Sequence, residues 1–129
     1  ELEKEKNNRM FKIFPHIEYE MFLALERECA VWVGNSSGAI IESASFGVPV
    51  VNVGNRQSGR LRGKNIIDVG NNEQEIVGAL RKSLEDQDYL LSLRKINNPW
   101  GDGKAAARIM KVLKNLVIDE RLINKQIVY

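Results

Sequence analysis

The sequence predicts an α/β protein with an open, doubly wound parallel sheet. Two observations lead to this prediction. Short, nearly uninterrupted apolar runs, typical of strands covered on both faces, alternate with helical segments. Parallel β-α-β units are the usual arrangement for such an order of elements. In addition, the 129 residues and the 43% apolar content are those of one ordinary globular domain.

The first elements along the chain are a strand and a helix. Residues 10–14 (MFKIF) are apolar enough for a strand, which Pro15 ends. From residue 17 to residue 30, apolar side chains recur on one side of a helix. The charged stretch before them, ELEKEKNNRM, has no apolar face of its own, so we expect the chain to be part of a longer protein, with the first strands of the sheet missing.

Three more strands and a short helix follow. Residues 30–34 (AVWVG) predict a strand buried on both faces, and NSSG after it is a helix start with Ser36 or Ser37 as the N-cap. That helix is expected over residues 38–46 and ends at Gly47. Residues 48–53 (VPVVNV) and, after a long polar loop, residues 65–69 (NIIDV) predict the last two buried strands.

The remainder of the chain predicts helices. Residues 72–84 and 87–95 are amphipathic, NNPWGDG is a turn segment, and residues 104–116 are strongly periodic. The last of these helices has a basic side that we interpret as a solvated face rather than a binding patch; it consists of Lys104, Arg108, Lys111 and Lys114.

Composition excludes several classes of function. A net charge of +2 is too small for the positive field on which nucleic-acid binding depends. We find no signal peptide and no apolar run that could span a bilayer, and the lone Cys29 cannot close an internal disulfide, so we expect a cytoplasmic protein without membrane contact. Cys29 is interpreted as a small core residue, and His16 receives no role. No metal site or cofactor is predicted.

Two glycine-rich and polar segments, GNSSG and GNRQSGR, each follow a predicted strand. The carboxyl ends of parallel strands meet at one edge of a sheet, which is where such sheets bind ligands. Backbone N–H groups at a helix start attract an anion, and small residues let it approach closely. Ser36, Ser37 and Gly38 therefore predict a phosphate cradle, although a capped turn alone would also explain them.

Glu42 is the carboxylate among these small residues. It lies one helical turn after Gly38, and helical side chains lean towards the N-terminus, so its carboxylate is expected over that glycine. A carboxylate repels phosphate but accepts hydrogen bonds from the vicinal diol of a ribose or sugar. Arg56 could meet a phosphate or a base. The plainer alternatives are a solvated glutamate and, for Arg56, Arg60 and Arg62, loop charges.

The segments GNSSGAIIESASFGVPVVNVGNRQSGR and NPWGDGKAAARIMKVL resemble the C-terminal domain of the UDP-N-acetylglucosamine 2-epimerases, and GNRQSGR is similar to the hydrolysing branch that feeds sialic acid synthesis. The resemblance runs from about residue 14 to residue 116, and the ending ERLINKQIVY resembles the family's tail. It implies the C-terminal half of a glycosyltransferase-B-type fold, in which two Rossmann-like domains face a cleft. Residues 118–129 would then pack on the missing N-terminal domain.

The resemblance also implies roles and a reaction. Ser36 and Ser37 would hold the diphosphate of UDP, Glu42 the ribose hydroxyls and Arg56 the uridine end. The family eliminates UDP from UDP-N-acetylglucosamine to give a glycal, and hydration then yields N-acetylmannosamine. The family's catalytic acids and histidine match no segment here, so no catalytic residue is assigned to this chain and the chain alone is expected to be inactive. A glycosyltransferase and a non-catalytic nucleotide-binding module are the alternatives, and a homo-oligomer is left open.

Overall fold

A computed structural model of the chain describes residues 10–124. It divides after Pro99 into two compact units. The elements of the first unit are α1 (Tyr19–Glu28), β1 (Trp32–Gly34), α2 (Ser37–Ile41), a 3-10 turn (Ser43–Ser45), β2 (Val50–Val53), β3 (Ile66–Val69), α3 (Glu73–Glu85) and α4 (Gln87–Leu93). The second unit contains α5 (Ala105–Asn115) and α6 (Glu120–Ile123).

The three strands form a parallel sheet in the order β1-β2-β3. In the central strand, Asn52 lies opposite Gly34 of β1 and opposite Asp68 of β3. All three strands therefore present their carboxyl ends at the same edge of the sheet. The predicted α/β class with a parallel sheet is confirmed.

The core of the first unit lies around β2. Val50 and Val51 are fully buried, as the uninterrupted apolar run predicts for a central strand. They share the interior with apolar side chains from α2, the segment after it, α3 and α4; these are Ala39, Ile40, Ala44, Val48, Ala79 and Leu93. These buried side chains cover both faces of β2. Their packing holds the central strand, and with it the loop at its end, in a defined position.

Two predictions about strands were wrong for the described residues, one of a strand at residues 10–14 and one of the burial of β1. Residues 10–14 lie outside the described sheet, and the side chains of Met10, Phe11, Ile13 and Phe14 are exposed. An apolar run becomes a strand only where a neighbouring strand pairs with its backbone. The prediction that β1 is covered on both faces also fails for the described residues, because β1 is an edge strand there and Val33 is 46% exposed.

Side chains that cap helices set the boundaries of α3 and α4. Asn72 accepts hydrogen bonds from the backbone N–H groups of Gln74 and Glu75, and Asp86 accepts one from Tyr89 at 2.9 Å. Such caps satisfy donors that the first turn of a helix leaves without a partner. The predicted starts of these two helices, at residues 72 and 87, agree with the structure to within one residue.

The second unit is built on α5. Asp102 precedes this helix and forms a two-pronged ion pair with Arg108, with both N–O distances 2.7 Å. This pairing lowers the pKa of Asp102. The other side of α5 is apolar but exposed, as Ile109, Val112 and Leu113 show. The charged stretch at residues 1–9 and the end of the predicted tail, residues 125–129, lie outside the described residues.

Candidate functional site

The candidate site lies at the carboxyl ends of β1 and β2. The loop after β1 begins at Asn35, and the loop after β2 begins at Gly54. Because the two strands are adjacent and parallel, these loops meet at the edge where ligands bind to open α/β sheets. Both predicted ligand-binding segments are therefore brought together.

Ser36 caps α2. Its Oγ accepts a hydrogen bond of 3.2 Å from the backbone N–H of Gly38, and its backbone is extended, as is usual for an N-cap. Ser37 is the first residue of the helix. This settles which of the two serines is the cap. The Ser36 hydroxyl still carries its own proton, which it can donate to an acceptor in the crevice, the space at the carboxyl ends of β1 and β2 between these two loops.

The helix after the cap is shorter than the sequence predicts. Instead of one helix over residues 38–46, α2 ends at Ile41 and a 3-10 turn follows. The Ser43 hydroxyl donates to the carbonyl of Ala39 and accepts from Nδ2 of Asn65, and such side-chain bonds compete with a continuous helix. A five-residue helix has a weak dipole, so anion binding here depends on individual N–H and hydroxyl donors.

Glu42, the C-cap of α2, is half-buried. Its Oε1 atom lies 3.6 Å from the position that a Cβ atom would take on Gly38. Trp32 of β1 approaches the same position, with its Cη2 atom at 3.7 Å. The carboxylate therefore lies above the glycine, as the spacing of four residues predicts.

Arg56 lies beside the same crevice. Its Nη1 atom donates to the backbone carbonyl of Asn35 at 3.1 Å, and the side chain is exposed. The guanidinium is thus held next to the cap of α2 while it stays accessible to a ligand. Among the sequence-predicted site residues, Ser36, Ser37, Gly38 and Glu42 belong to one short segment, and this hydrogen bond brings Arg56 to it.

Gln57 is a residue that the sequence reasoning missed. It is 2% exposed, and its Nε2 atom donates to the same Asn35 carbonyl at 2.7 Å. One carbonyl oxygen therefore accepts hydrogen bonds from two neighbouring residues of the other loop, which joins the two loops. The available signal was the position of Gln57 directly after Arg56 in a segment that otherwise consists of small and charged residues.

Arg62 and Arg60 differ from Arg56. Arg62 forms an ion pair with Asp68 of β3, and its Nη2 atom donates to the carbonyl of Gln57 at 2.6 Å. Its Nε atom donates to the carbonyl of Arg60. Arg62 therefore stabilises the loop through contacts with the loop's own backbone and with β3. The side chain of Arg60 is exposed. A groove of about 590 Å³ lies beside this loop and includes Gly54 and Gly59 in its wall.

Electrostatically, the most perturbed carboxyl near the crevice is Glu26 of α1. Burial, together with the nearby charge of Glu42, raises the pKa of Glu26 to about 7. The sequence reasoning missed this residue as well. The signal was its spacing, because Glu26 lies four residues after Phe22 and therefore on the apolar side of the helix.

Four other expectations concern His16, Cys29, metal binding and membrane spans. His16 lies 3.5 Å from Glu18, and both side chains are exposed. Cys29 is only half-buried, and its thiol donates to the carbonyl of Glu26. Within residues 10–124, no three His, Cys, Asp or Glu side chains are grouped so that they could hold a metal ion. Of the helices in this described part, none has the length and apolar character of a membrane span.

Comparison with known proteins identifies a family that the chain matches. The profile of the UDP-N-acetylglucosamine 2-epimerase family matches residues 1–114. The chain is 37% identical over 114 residues to a Legionella pneumophila protein named UDP-N,N'-diacetylbacillosamine 2-epimerase (hydrolyzing), a match that covers 88% of this chain and 29% of that protein. It is 30% identical over 107 residues to polysialic acid biosynthesis protein P7 of Escherichia coli, which covers 83% and 27% of the two.

A solved structure has a similar fold. It is the crystal structure of Methanocaldococcus jannaschii UDP-GlcNAc 2-epimerase in complex with UDP-GlcNAc and UDP, with a TM-score of 0.64 and 27% sequence identity. The match covers 88% of this chain and 30% of that one. The chain thus spans less than a third of the length of the relatives named here.

Proposed function

The chain belongs to the UDP-N-acetylglucosamine 2-epimerase family, and we propose that it is the UDP-binding part of a hydrolysing member. The whole protein would convert UDP-N-acetylglucosamine and water into N-acetylmannosamine and UDP. The observation that supports the proposal is a contact between the loops after β1 and β2 at one backbone carbonyl oxygen. Arg56 and Gln57 both donate to the carbonyl of Asn35, beside the serine cap of α2.

Each end of UDP has a matching group in this proposal. The hydroxyls of Ser36 and Ser37 donate to the diphosphate, and Gly38 lets the ligand approach closely because it has no side chain. The Glu42 carboxylate accepts hydrogen bonds from the ribose hydroxyls. Arg56 holds the uracil ring, by stacking on it or by donating to a carbonyl. The exposed guanidinium beside Asn35 supports this last assignment.

The reaction that the family implies removes UDP from the sugar. A base takes the proton from C2, a C1–C2 double bond forms, and the electrons of the C1–O bond leave with UDP. Water then adds its hydroxyl to C1. C2 receives a proton on the face opposite to the one from which its first proton was removed. Donors around the diphosphate stabilise the charge that develops on the leaving group, which is how this chain contributes to the rate.

We assign the acid and base to a part of the protein outside this chain. Residues 35–65 include both crevice loops, α2 and its C-cap; Glu42 is the one carboxyl side chain among them, and its proposed role is at the ribose. The remaining groups would come from an N-terminal domain across the cleft, against which residues 118–129 would pack. The proposed compartment is the cytoplasm, for which the single cysteine is the supporting observation.

Deuterium incorporation tests the proposed activity. The protein at its encoded length is incubated with UDP-N-acetylglucosamine in D₂O without an acceptor, and the sugar is examined by NMR. Release of UDP with N-acetylmannosamine that carries deuterium at C2 supports elimination and hydration. Release of N-acetylglucosamine without deuterium indicates a glycosyltransferase that hydrolyses its donor, and binding of UDP without release indicates a non-catalytic module.

Two further measurements define the substrate and the ribose contact. UDP-N,N'-diacetylbacillosamine is compared as the substrate, since one relative bears that name. For the ribose, calorimetry compares UDP with 2′-deoxy-UDP. Glu42→Gln should weaken UDP binding by about 1.5–3 kcal/mol, the range for a hydrogen bond to a charged group. The variant should also lose the preference for the ribose. If it keeps the full preference, Glu42 does not contact the sugar ring.

A further inference from the structure

Glu26 is a buried acid that the proposed UDP contacts do not use. It is 3% exposed and lies in the wall of an apolar pocket of about 280 Å³ that Phe22 and Trp32 also line. Among the described residues, no N–H or O–H donor reaches either of its carboxyl oxygens. An ionised carboxylate in such a place would be strongly destabilising.

The neighbour of this acid is the proposed ribose ligand. Oε2 of Glu42 is buried as well, and no donor from the described part of the chain reaches it. Trp32 lies beside both acids: it lines the pocket with Glu26, and its Cη2 atom approaches the Cβ position of Gly38 to 3.7 Å, where Oε1 of Glu42 lies at 3.6 Å. Two carboxylates can only accept, so a hydrogen bond between them requires a proton on one of the pair.

The surroundings decide which of the two carries the proton. Glu26 is the more buried carboxyl, and burial is the largest cause of its raised pKa of about 7. Cys29 is the other titratable group beside it, and burial and the charge of Glu26 raise the pKa of that thiol. The pocket also contains Val31 and, from β1, Trp32 and Val33, which do not titrate. Glu26 is therefore the carboxyl that carries the proton.

We infer that Glu26 is a positioning residue for UDP: its carboxylic acid donates to the buried side of the Glu42 carboxylate and holds that carboxylate over Gly38, towards the ribose. The inference deepens the proposed function and rests on it. Loss of the Glu26 proton would place two negative charges in contact, and their repulsion would turn Glu42 away from the ribose. Affinity for UDP and for uridine should therefore fall as pH rises through about 7.

The test is calorimetry of UDP and uridine from about pH 6 to about pH 8 with the protein at its encoded length. The variants are Glu26→Gln, Glu26→Leu and the control Glu28→Gln, which changes an exposed acid on the same helix. Uridine lacks phosphates, so its binding is independent of ligand ionisation. In the parent protein and in Glu28→Gln, affinity should fall by about tenfold across this range, as expected for one group with a pKa near 7.

The two substitutions at Glu26 should differ. The amide of Glu26→Gln donates the same hydrogen bond and does not titrate, so this variant should keep its affinity at both pH values. Glu26→Leu fills the pocket without a donor and should bind weakly at both. If Glu26→Gln shows the pH dependence of the parent, or if Glu26→Leu binds as tightly as the parent at the lower pH, the inference is overturned.

A measurement without ligand separates the inference from the proposed function. Infrared spectroscopy of the protein should show a protonated carboxyl that disappears as pH rises through about 7 and that is absent in Glu26→Gln. UDP binding without this titration overturns the inference and leaves the proposed function intact. The titration without UDP binding by any variant overturns the proposed function, and the positioning role with it.

Discussion

The carboxylate of Glu42 lies directly above Gly38, with Oε1 3.6 Å from the position that a Cβ atom would take on that glycine. A Cβ atom there would make ordinary van der Waals contacts with Ser36, Glu42 and Trp32, so the fold itself does not require a glycine. What the missing side chain provides is open space in front of the carboxylate. This space is where the proposed ribose and diphosphate would lie.

Gly38→Ala should therefore separate stability from binding. Alanine is the better helix residue, so the free energy of unfolding should stay the same or rise by up to about 1 kcal/mol. UDP affinity should fall, because the methyl group occupies the space in front of Glu42. Chemical denaturation and calorimetry check the two effects.

Gly78→Ala is the matched control. Gly78 lies in α3, where an added Cβ would meet no atom within 4 Å. This variant should gain similar stability and keep the parent's UDP affinity. If Gly38→Ala binds UDP as well as Gly78→Ala does, the ligand does not enter the space over Gly38.

Arg56→Lys should weaken UDP binding by about tenfold or more, because an ammonium group cannot reproduce a planar, two-pronged or stacked contact. Arg60→Lys, in the same loop, should have much less effect, since it is Arg56 that donates to Asn35 beside the cap of α2. Calorimetry with uridine then identifies the contact. We expect Arg56→Lys to weaken uridine as well, which indicates the base; unchanged uridine binding would indicate a phosphate. Equal losses for both arginines would contradict the assignment of Arg56.

Much of this site could be predicted from the sequence because its signals are local. The serine cap depends on residues two apart, and the position of Glu42 over Gly38 follows from the geometry of a single helical turn. The adjacency of the two loops follows from the apolar runs before them, because neighbouring parallel strands end at the same edge.

What could not be predicted depends on contacts between distant residues. The position of the Gln57 side chain depends on its hydrogen bond to a carbonyl 22 residues earlier in the chain. The early end of α2 depends on Ser43 and on Asn65 from beyond the polar loop. The pairing that we infer between Glu26 and Glu42 joins α1 to the end of α2, and the periodicity of α1 indicates only that an acid lies on an apolar face.

Gln57→Leu should destabilise the protein by about 0.5–1.5 kcal/mol, the net contribution of one hydrogen bond. The variant loses the donor to Asn35, although Arg56 still donates to that carbonyl. Gln57→Glu should be worse, because it places a carboxylate oxygen against a carbonyl oxygen in a buried position. Urea unfolding compares both with Gln74→Leu, which changes an exposed glutamine. A smaller loss for Gln57→Glu than for Gln57→Leu would contradict the donor role.

The raised pKa of Glu26 also predicts how stability depends on pH. Its ordinary value is 4.5 and its value in the folded protein is about 7, so the folded state binds this proton more tightly than the unfolded chain does. The contribution to stability is complete below about pH 4.5 and is lost as pH rises to about 7. The slope for one proton is at most about 1.4 kcal/mol per pH unit. Glu26→Gln cannot lose a proton and should lack this decline, so its stability relative to the parent should increase across the window.

Urea unfolding from pH 4.5 to pH 7 measures this difference, and Glu28→Gln is the control. The other titrating groups are common to the parent and to Glu26→Gln, so they cancel when the two curves are subtracted. Glu28 is exposed beside Arg27, and its replacement should leave the slope of the parent unchanged. Parallel curves for the parent and Glu26→Gln would mean that the folded protein does not retain the proton at Glu26, and Glu42 would then lack a carboxylic acid donor.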